Sequence, residues 1–257
     1  MYFVDTHTHL YSEEFDSENF NHVNEALQFN VKKMLMPNID SSSIEKMEAI
    51  TKLFPENCFA MMGLHPCYVK ENYEAELKII KTHLDKNNYC AVGEIGIDLY
   101  WEKTFKDEQI KCFSTQIEWA MEKKLPIAIH TRNSFDETLE VVSKYYKKNT
   151  DNNGVFHCFS GNAEQAQQVI DLGFSLGIGG VVTFKNSGLD KVVEQVDLQH
   201  IILETDAPYL APVPHRGKNN RSTYIPLIAK KVAEIKNCSV DEVAEITTAN
   251  ALKLFNL

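Results

Sequence analysis

Eight times along this chain of 257 residues, a short apolar or β-branched run gives way to a longer amphipathic one. Strand-like runs read at 2–5, 32–37, 58–63, 90–94, 126–130, 154–158, 173–178 and 200–204. Helix-like segments lie between them at 18–29, 41–53, 72–86, 106–124, 134–148, 162–171 and 188–196, with more after 222. In the 106–124 stretch Ile110, Phe113, Ile117, Met121 and Leu125 recur at three- and four-residue steps, the spacing of one helix face. Ser134, followed by Asp136 and Glu137, reads as the start of the next helix, and Ser239-Val-Asp-Glu242 has the spacing of a capping box. Such alternation calls for parallel strands joined by helical crossovers, in a closed (β/α)8 barrel or an open doubly wound sheet.

The residues at the strand ends separate these two. His7 and His9 in V-D-T-H-T-H-L, His65, Glu94, His130, His157 and Asp206 each follow an apolar run and precede a turn. In a barrel every strand C-terminus opens on one mouth, so residues scattered over the whole chain can meet there. An open sheet would leave its first and last strands apart, and no G-x-G-x-x-G or P-loop pattern supports a nucleotide-cofactor sheet. The expected fold is α/β, a single (β/α)8 TIM barrel over residues 1–257, with a metal site at the C-terminal ends of the strands.

Imidazole and carboxylate together are the ligand set of a hydrolytic metal centre. His7 and His9 lie two apart on a strand-like segment, so they share a face and can grip one ion; a hydrogen-bonded histidine pair is the alternative. Glu94 is a candidate bridge between two ions, since a buried carboxylate is costly unless paired or bound to a cation, and Gly93 and Gly96 leave room around it. His130 and His157 end the fifth and sixth runs. Asp206 ends the eighth, beside the first if a barrel closes, and is placed to bind an ion and orient or deprotonate a water. Two cations about 3.5–4 Å apart would acidify that water and clamp a phosphate. His65, Arg132, Arg216 and Lys218 are candidates for substrate phosphates, Arg offering a planar donor fork; a solvated surface role is the alternative for each. Tyr209 and Phe159 could stack on bases or simply pack. Glu204 reads as a structural residue of a turn, and Asp98 as a support for a ligand or loop. The G-x-S-x-G motif of serine hydrolases is missing.

A formal net charge of −10 argues against coating nucleic acid through a broad basic face. It leaves phosphate substrates open, because bound divalent ions supply positive charge locally. Six cysteines, widely spaced and without a C-x-x-C pair, read as buried free thiols of a reducing compartment, with Cys158 pointing away from the site. No apolar stretch approaches the ~20 residues of a membrane helix. The motif at His7 leaves no room for a cleaved leader, so the cytoplasm is the expected location, without an obligatory protein partner.

The chain resembles the TatD family of metal-dependent deoxyribonucleases in D-T-H-T-H-L at 5–10, G-L-H-P at 63–66, G-E-I-G-I-D at 93–98, H-T-R at 130–132, H-C-F-S-G at 157–161, E-T-D-A-P-Y-L at 204–210 and P-H-R-G-K at 214–218. T-T-A-N-A-L-K-L-F at 247–255 is similar to the family's C-terminal helix. The resemblance spans nearly the whole chain and implies a barrel with two divalent metal ions. One would be held by His7, His9, Glu94 and Asp206, the other by Glu94, His130 and His157. It implies hydrolysis of DNA phosphodiesters, often as a 3′-to-5′ exonuclease on single strands, with DNA or RNA as the bound partner, Asp206 and Glu94 as catalytic residues, and His65 and Arg132 as substrate contacts. By ligand softness the histidine-rich set suits Zn or Mn better than Mg, the ion usual for the family. After Lys218 the chain reads N-N-R-S-T-Y where the family has an acidic residue and a proline; Arg221 is expected to favour a nucleic-acid backbone. The rival enzyme reading is an ester or amide hydrolase on the same barrel, such as an aminoacyl-tRNA deacylase. A lysine-bridged amidohydrolase is disfavoured, since no Lys lies in 89–99. A non-catalytic binding protein would have lost a ligand, whereas all six are present.

Overall fold

The structure, a computed structural model, describes residues 1–18, 20–86, 88–147 and 153–257. Positions 19 and 148, inside two of the expected helices, lie outside the described residues. The elements run β1 (Phe3–Asp5), α1 (Asn21–Gln28), β2 (Val31–Pro37), α2 (Ile44–Leu53), β3 (Cys58–Met61), α3 (Tyr73–Lys86), β4 (Val92–Asp98), α4 (Lys106–Lys123), β5 (Ile127–Arg132) and α5 (Phe135–Tyr145). They continue with β6 (Gly154–Phe156), α6 (Ala163–Asp171), β7 (Phe174–Ile178), α7 (Leu189–Gln195), β8 (Ile201–Leu203), α8 (Ile225–Lys236) and α9 (Val240–Phe255).

The strands pair in parallel and in chain order, β1 to β3 and β4 to β8. A bridge between Met61 and Ala91 joins the two sets on one side, and a bridge between Thr8 and Ala207 joins them on the other. The second seam also carries Thr6 N–H donating to Leu203 O at 3.1 Å and Asp206 N–H donating to His7 O at 2.9 Å. The ring therefore closes into a (β/α)8 barrel. Its floor is filled by one residue from each of several strands, including Val4, Leu35, Met61, Ala128, Val155 and Ile202, and is sealed from below by Leu254 and Phe255 of α9. With the floor packed, only the opposite end, where the strands terminate, is left for chemistry.

Several local expectations change. β4 runs on to Asp98, so Glu94 lies inside the strand instead of at its end. Its pairing with β5 is irregular between Val92 and Ile95, a place where a strand re-aims a side chain. Ser239 Oγ accepts from Glu242 N–H at 3.1 Å, as the capping spacing predicts. α5 starts directly after Ser134, as expected, but the Ser134 side chain makes no capping bond: buried beneath the turn, its hydroxyl donates to Ile97 O at 2.6 Å. α4 ends in a left-handed Lys124, which leaves Leu125 beyond the helix. All six cysteines are free, but only Cys58 and Cys112 are fully buried. No helix among the described residues is long and apolar enough to cross a membrane.

Gly96 sets the distance between β4 and β5. Its φ of 148° is one L side chains rarely adopt, and a Cβ there would sit 2.0 Å from His130 O. Gly96→Ala is expected to cost about 2–4 kcal/mol through strain and collision, lowering the melting temperature by about 5–15 °C. Thermal denaturation followed by circular dichroism measures this; an unchanged midpoint would mean the two strands do not meet as described.

Candidate metal centre

His7, His9, His65, Glu94, His130, His157 and Asp206 converge at the barrel mouth. His7 and His9 follow β1 on a segment tied to both neighbours, Thr8 N–H donating to Leu35 O at 3.0 Å and His9 N–H to Ala207 O at 2.7 Å. His157 follows β6, its N–H bound to Ile129 O at 3.0 Å. Asp206 follows β8 with a left-handed φ of 57°, a conformation Asp tolerates better than most residues.

Glu94, 2% exposed, lies at the centre. Its two oxygens face different donors. Oε2 is 3.1 Å from His7 Nε2 and 3.8 Å from His9 Nε2, while Asp206 Oδ1 lies 3.4 Å from His9 Nε2 and 3.9 Å from His7 Nε2. Oε1 is 2.8 Å from His130 Nδ1, 3.3 Å from His157 Nε2 and 3.4 Å from His65 Nε2. Ligands about 2.1 Å from one ion stand about 3.0–3.4 Å apart at octahedral or tetrahedral angles, which the separations of 3.1–3.4 Å match and those of 2.8, 3.8 and 3.9 Å do not. Three groupings within 4.8 Å occur among the described residues: His7, His9 and Glu94; His65, Glu94 and His130; and His7, His157 and Asp206.

Partners on the far side of the rings assign the tautomers. His9 Nδ1 lies 2.8 Å from the Tyr11 hydroxyl, which itself donates to Pro37 O; the imidazole is therefore the donor, and its Nε2 lone pair faces the cluster. His130 gives its Nε2–H to Asp98 Oδ2 at 2.9 Å, freeing Nδ1. His157 gives its Nδ1–H to Glu204 Oε1 at 3.1 Å, freeing Nε2. His65 is the opposite case. Its Nδ1 accepts from Cys67 N–H at 3.0 Å, so the neutral ring carries its proton on Nε2 and presents a donor to the cluster, 3.2 Å from His130 Nδ1. A carboxylate behind the histidine is the usual arrangement for a metal ligand, and among the described residues of this cluster His130 and His157 have one.

The electrostatics agree with a cation site. Burial pushes the Glu94 carboxyl up, but His65, His157, His7 and His130 outweigh it and hold it well below the usual carboxylate range. Burial likewise raises Asp206, and His9, His157 and His7 bring it down. Burial lowers His157, yet Glu204 and Glu94 hold it well above the ordinary imidazole value. Burial and the neighbouring His157 push His7 down. Such a cluster balances its carboxylates with shared protons, whose place a divalent ion would take.

Glu204 is more than a structural turn residue. Fully buried, its Oε1 accepts both from His157 and from the Cys158 N–H at 2.6 Å, holding Cys158 in a left-handed turn at φ 47°. Gly177 makes the space, since a Cβ there would fall 2.2 Å from Glu204 Oε2. The period of the strand gives no sign of this contact, because it crosses from β8 to the end of β6. Asp98 acts as expected, supporting His130.

The remaining candidates divide. Arg132 and Tyr209 line the cleft over the cluster, a cavity of about 1060 Å³. Arg216 and Lys218 are exposed but outside its walls, the Arg216 guanidinium lying 4.4 Å from the Phe184 ring. Phe159 cannot stack on a base: its N–H continues the ladder to Gly177 O at 3.0 Å and its ring is buried in the core. Arg221 is not free for a nucleic-acid backbone, because Glu18 and Glu25 neutralise it, Nη1 lying 3.0 and 3.1 Å from their oxygens. Trp101, which periodicity does not single out, stands exposed in the cleft wall.

The family described as TatD related DNase matches residues 4–256. The chain belongs to the TatD family. A TatD-family relative, the uncharacterized metal-dependent hydrolase YabD of Bacillus subtilis (strain 168), is 34% identical over 255 residues, 98% of each chain. The crystal structure of YjjV, a TatD homologue from Escherichia coli K12, has a TM-score of 0.92 and 27% identity, covering 99% of this chain and 98% of that one. A TatD family hydrolase from Entamoeba histolytica shares the fold, with a TM-score of 0.82 at 19% identity over 99% of this chain and 98% of that one. The chain is thus a metal-dependent hydrolase of the TatD family.

Glu204→Gln and Asp98→Asn are each expected to weaken binding of the divalent ion about 10- to 100-fold, the usual cost of losing a partner behind a ligand. Isothermal titration with Zn or Mn reads this, with circular dichroism to check the fold. Wild-type affinity in both variants would remove the support role.

Proposed function

We propose that this TatD-family hydrolase cleaves phosphodiester bonds of nucleic acid, as a single domain over residues 1–257 that carries two divalent ions, Mg, Mn or Zn. The reading extends to a DNase of 3′-to-5′ exonuclease type on single-stranded DNA, in the cytoplasm, without an obligatory protein partner. The observation that carries it is the divided Glu94 carboxylate, with one oxygen toward His7 and His9, which Asp206 also faces, and the other toward His130, His157 and His65. His7, His9, Glu94 and Asp206 would hold one ion; Glu94, His130 and His157 the other. When bound, the ions supply Lewis acidity that polarises the phosphate and acidifies water.

The side chains do the rest. Asp206, kept ionised by His9, His157 and His7 against the effect of burial, accepts the proton of the attacking water. As the new P–O bond forms, the bond to the leaving sugar oxygen breaks and solvent returns a proton to it. His65, with Nε2–H toward the cluster, donates to a non-bridging phosphate oxygen, and Arg132 adds its guanidinium from the cleft wall. Arg216 and Lys218, outside that wall, are left to contact chain further from the cleaved bond.

Digestion of 3′- and 5′-labelled single-stranded and duplex DNA with Mg, Mn or Zn tests this. Release of nucleotides from the 3′ end of single strands is expected, with Asp206→Asn slower by at least about 100-fold. Undiminished cleavage by that variant sinks the mechanism. Inactivity on every DNA, together with hydrolysis of an aminoacyl ester, moves the assignment to a deacylase.

A further inference from the structure

Trp101 is 68% exposed and Tyr100 48%, a pair of large rings left in water next to a catalytic cluster. They lie on the loop between β4 and α4, their centroids 4.7 Å apart and their planes at 90°. The Arg132 guanidinium fits into this corner, 4.4 Å from the Tyr100 ring and 5.4 Å from the Trp101 ring. Leaving such rings exposed forgoes hydrophobic stabilisation, so their placement calls for an occupant.

The corner is rigidly built. Asp98 Oδ1 accepts from both Tyr100 N–H at 2.8 Å and Trp101 N–H at 2.6 Å, while Oδ2 holds His130 Nε2 at 2.9 Å. Leu99 N–H is bound to Arg132 O at 2.9 Å, where β4 and β5 are in register. One buried carboxylate therefore fixes the backbone of the Tyr100–Trp101 turn and a metal-site histidine relative to one another, and the Leu99–Arg132 bond ties that turn to the end of β5. The cleft wall also carries Glu13, Glu14 and Asp40, which repel a phosphate chain. Lys46, the other cation among the described lining residues, is held by Asp16 at 2.9 Å.

We infer that Trp101 is a stacking platform for an unpaired base of the substrate, with Arg132, seated by the aromatic corner, taking the adjoining phosphate. The inference rests on the phosphodiesterase reading and supplies a residue basis for its single-strand preference: a base must be free of its partner to lie on the indole. Stacking on a π-face is tolerant of sequence, so no base preference follows from Trp101.

The test compares magnesium-loaded wild-type protein with Trp101→Ala and Trp101→Phe. Two probes are used in equilibrium binding by fluorescence anisotropy: a labelled phosphorothioate oligothymidylate, which resists hydrolysis, and a phosphorothioate oligomer of equal length built from base-free tetrahydrofuran units. The ratio of the two affinities is expected to fall about 5- to 150-fold in Trp101→Ala, the range for losing one base–aromatic stack, and to recover largely in Trp101→Phe. The ratio of kcat/KM for the corresponding unmodified oligomers should fall in parallel. Unchanged ratios, or equal losses on both probes, overturn the platform. If no nucleic acid is hydrolysed but base-selective binding depends on Trp101, the platform stands and the phosphodiesterase reading falls. Hydrolysis of DNA with ratios indifferent to Trp101 overturns the platform alone.

Discussion

One buried carboxylate organises this molecule's working end. Glu94 is nearly inaccessible to water, and a carboxylate there must be balanced by positive charge or by donors on both oxygens. The barrel supplies them from every side: His7 and His9 beyond β1, His65 beyond β3, His130 on β5 and His157 beyond β6. Nothing short of a closed ring brings these positions together. The packed floor under Val4, Leu35 and Phe255 keeps the opposite end of the barrel shut, so the charge can be met only at the mouth.

A second layer decides what each histidine offers. Tyr11, Asp98 and Glu204 take the outward N–H of His9, His130 and His157, leaving inward lone pairs suited to a metal ion. Cys67 does the reverse for His65 by donating to it, and so leaves that imidazole with a donor on its inward side. Residues of one type thus present a lone pair or a proton inward according to the partners behind them. Asp98 extends the same control outward, since the carboxylate that steadies His130 also pins the Tyr100–Trp101 turn. Spacing the layers this closely requires glycine where backbone or carboxylate would otherwise collide, at Gly96 beside His130 and Gly177 beside Glu204.

Much of this was legible beforehand. The eight strands fall where alternation of apolar runs puts them, because burial on both faces of a parallel strand writes a local pattern. The convergence of His7, His9, His157 and Asp206 followed from their positions at strand ends, while Glu94 and His130 reach the same mouth from inside β4 and β5. Side-chain partners across the barrel were not legible. Glu204 looked like a turn residue because its contact with His157 spans 47 positions. Arg221 looked like a free cation until the fold brought Glu18 and Glu25 against it. Phe159 and Trp101 exchanged places as aromatic surfaces, since one sits on a ladder that continues inward and the other on a loop that leaves it.

The order of residues along the chain settles the class of fold and the ring of donors, because strand period, helix period and strand-end position are properties of neighbours in sequence. Folding alone settles the rest: which oxygen of Glu94 meets which imidazole, which nitrogen keeps its proton, and which cations remain free in the cleft. Those outcomes depend on distances of three to four ångströms between residues scores of positions apart, and only closure of the barrel sets them.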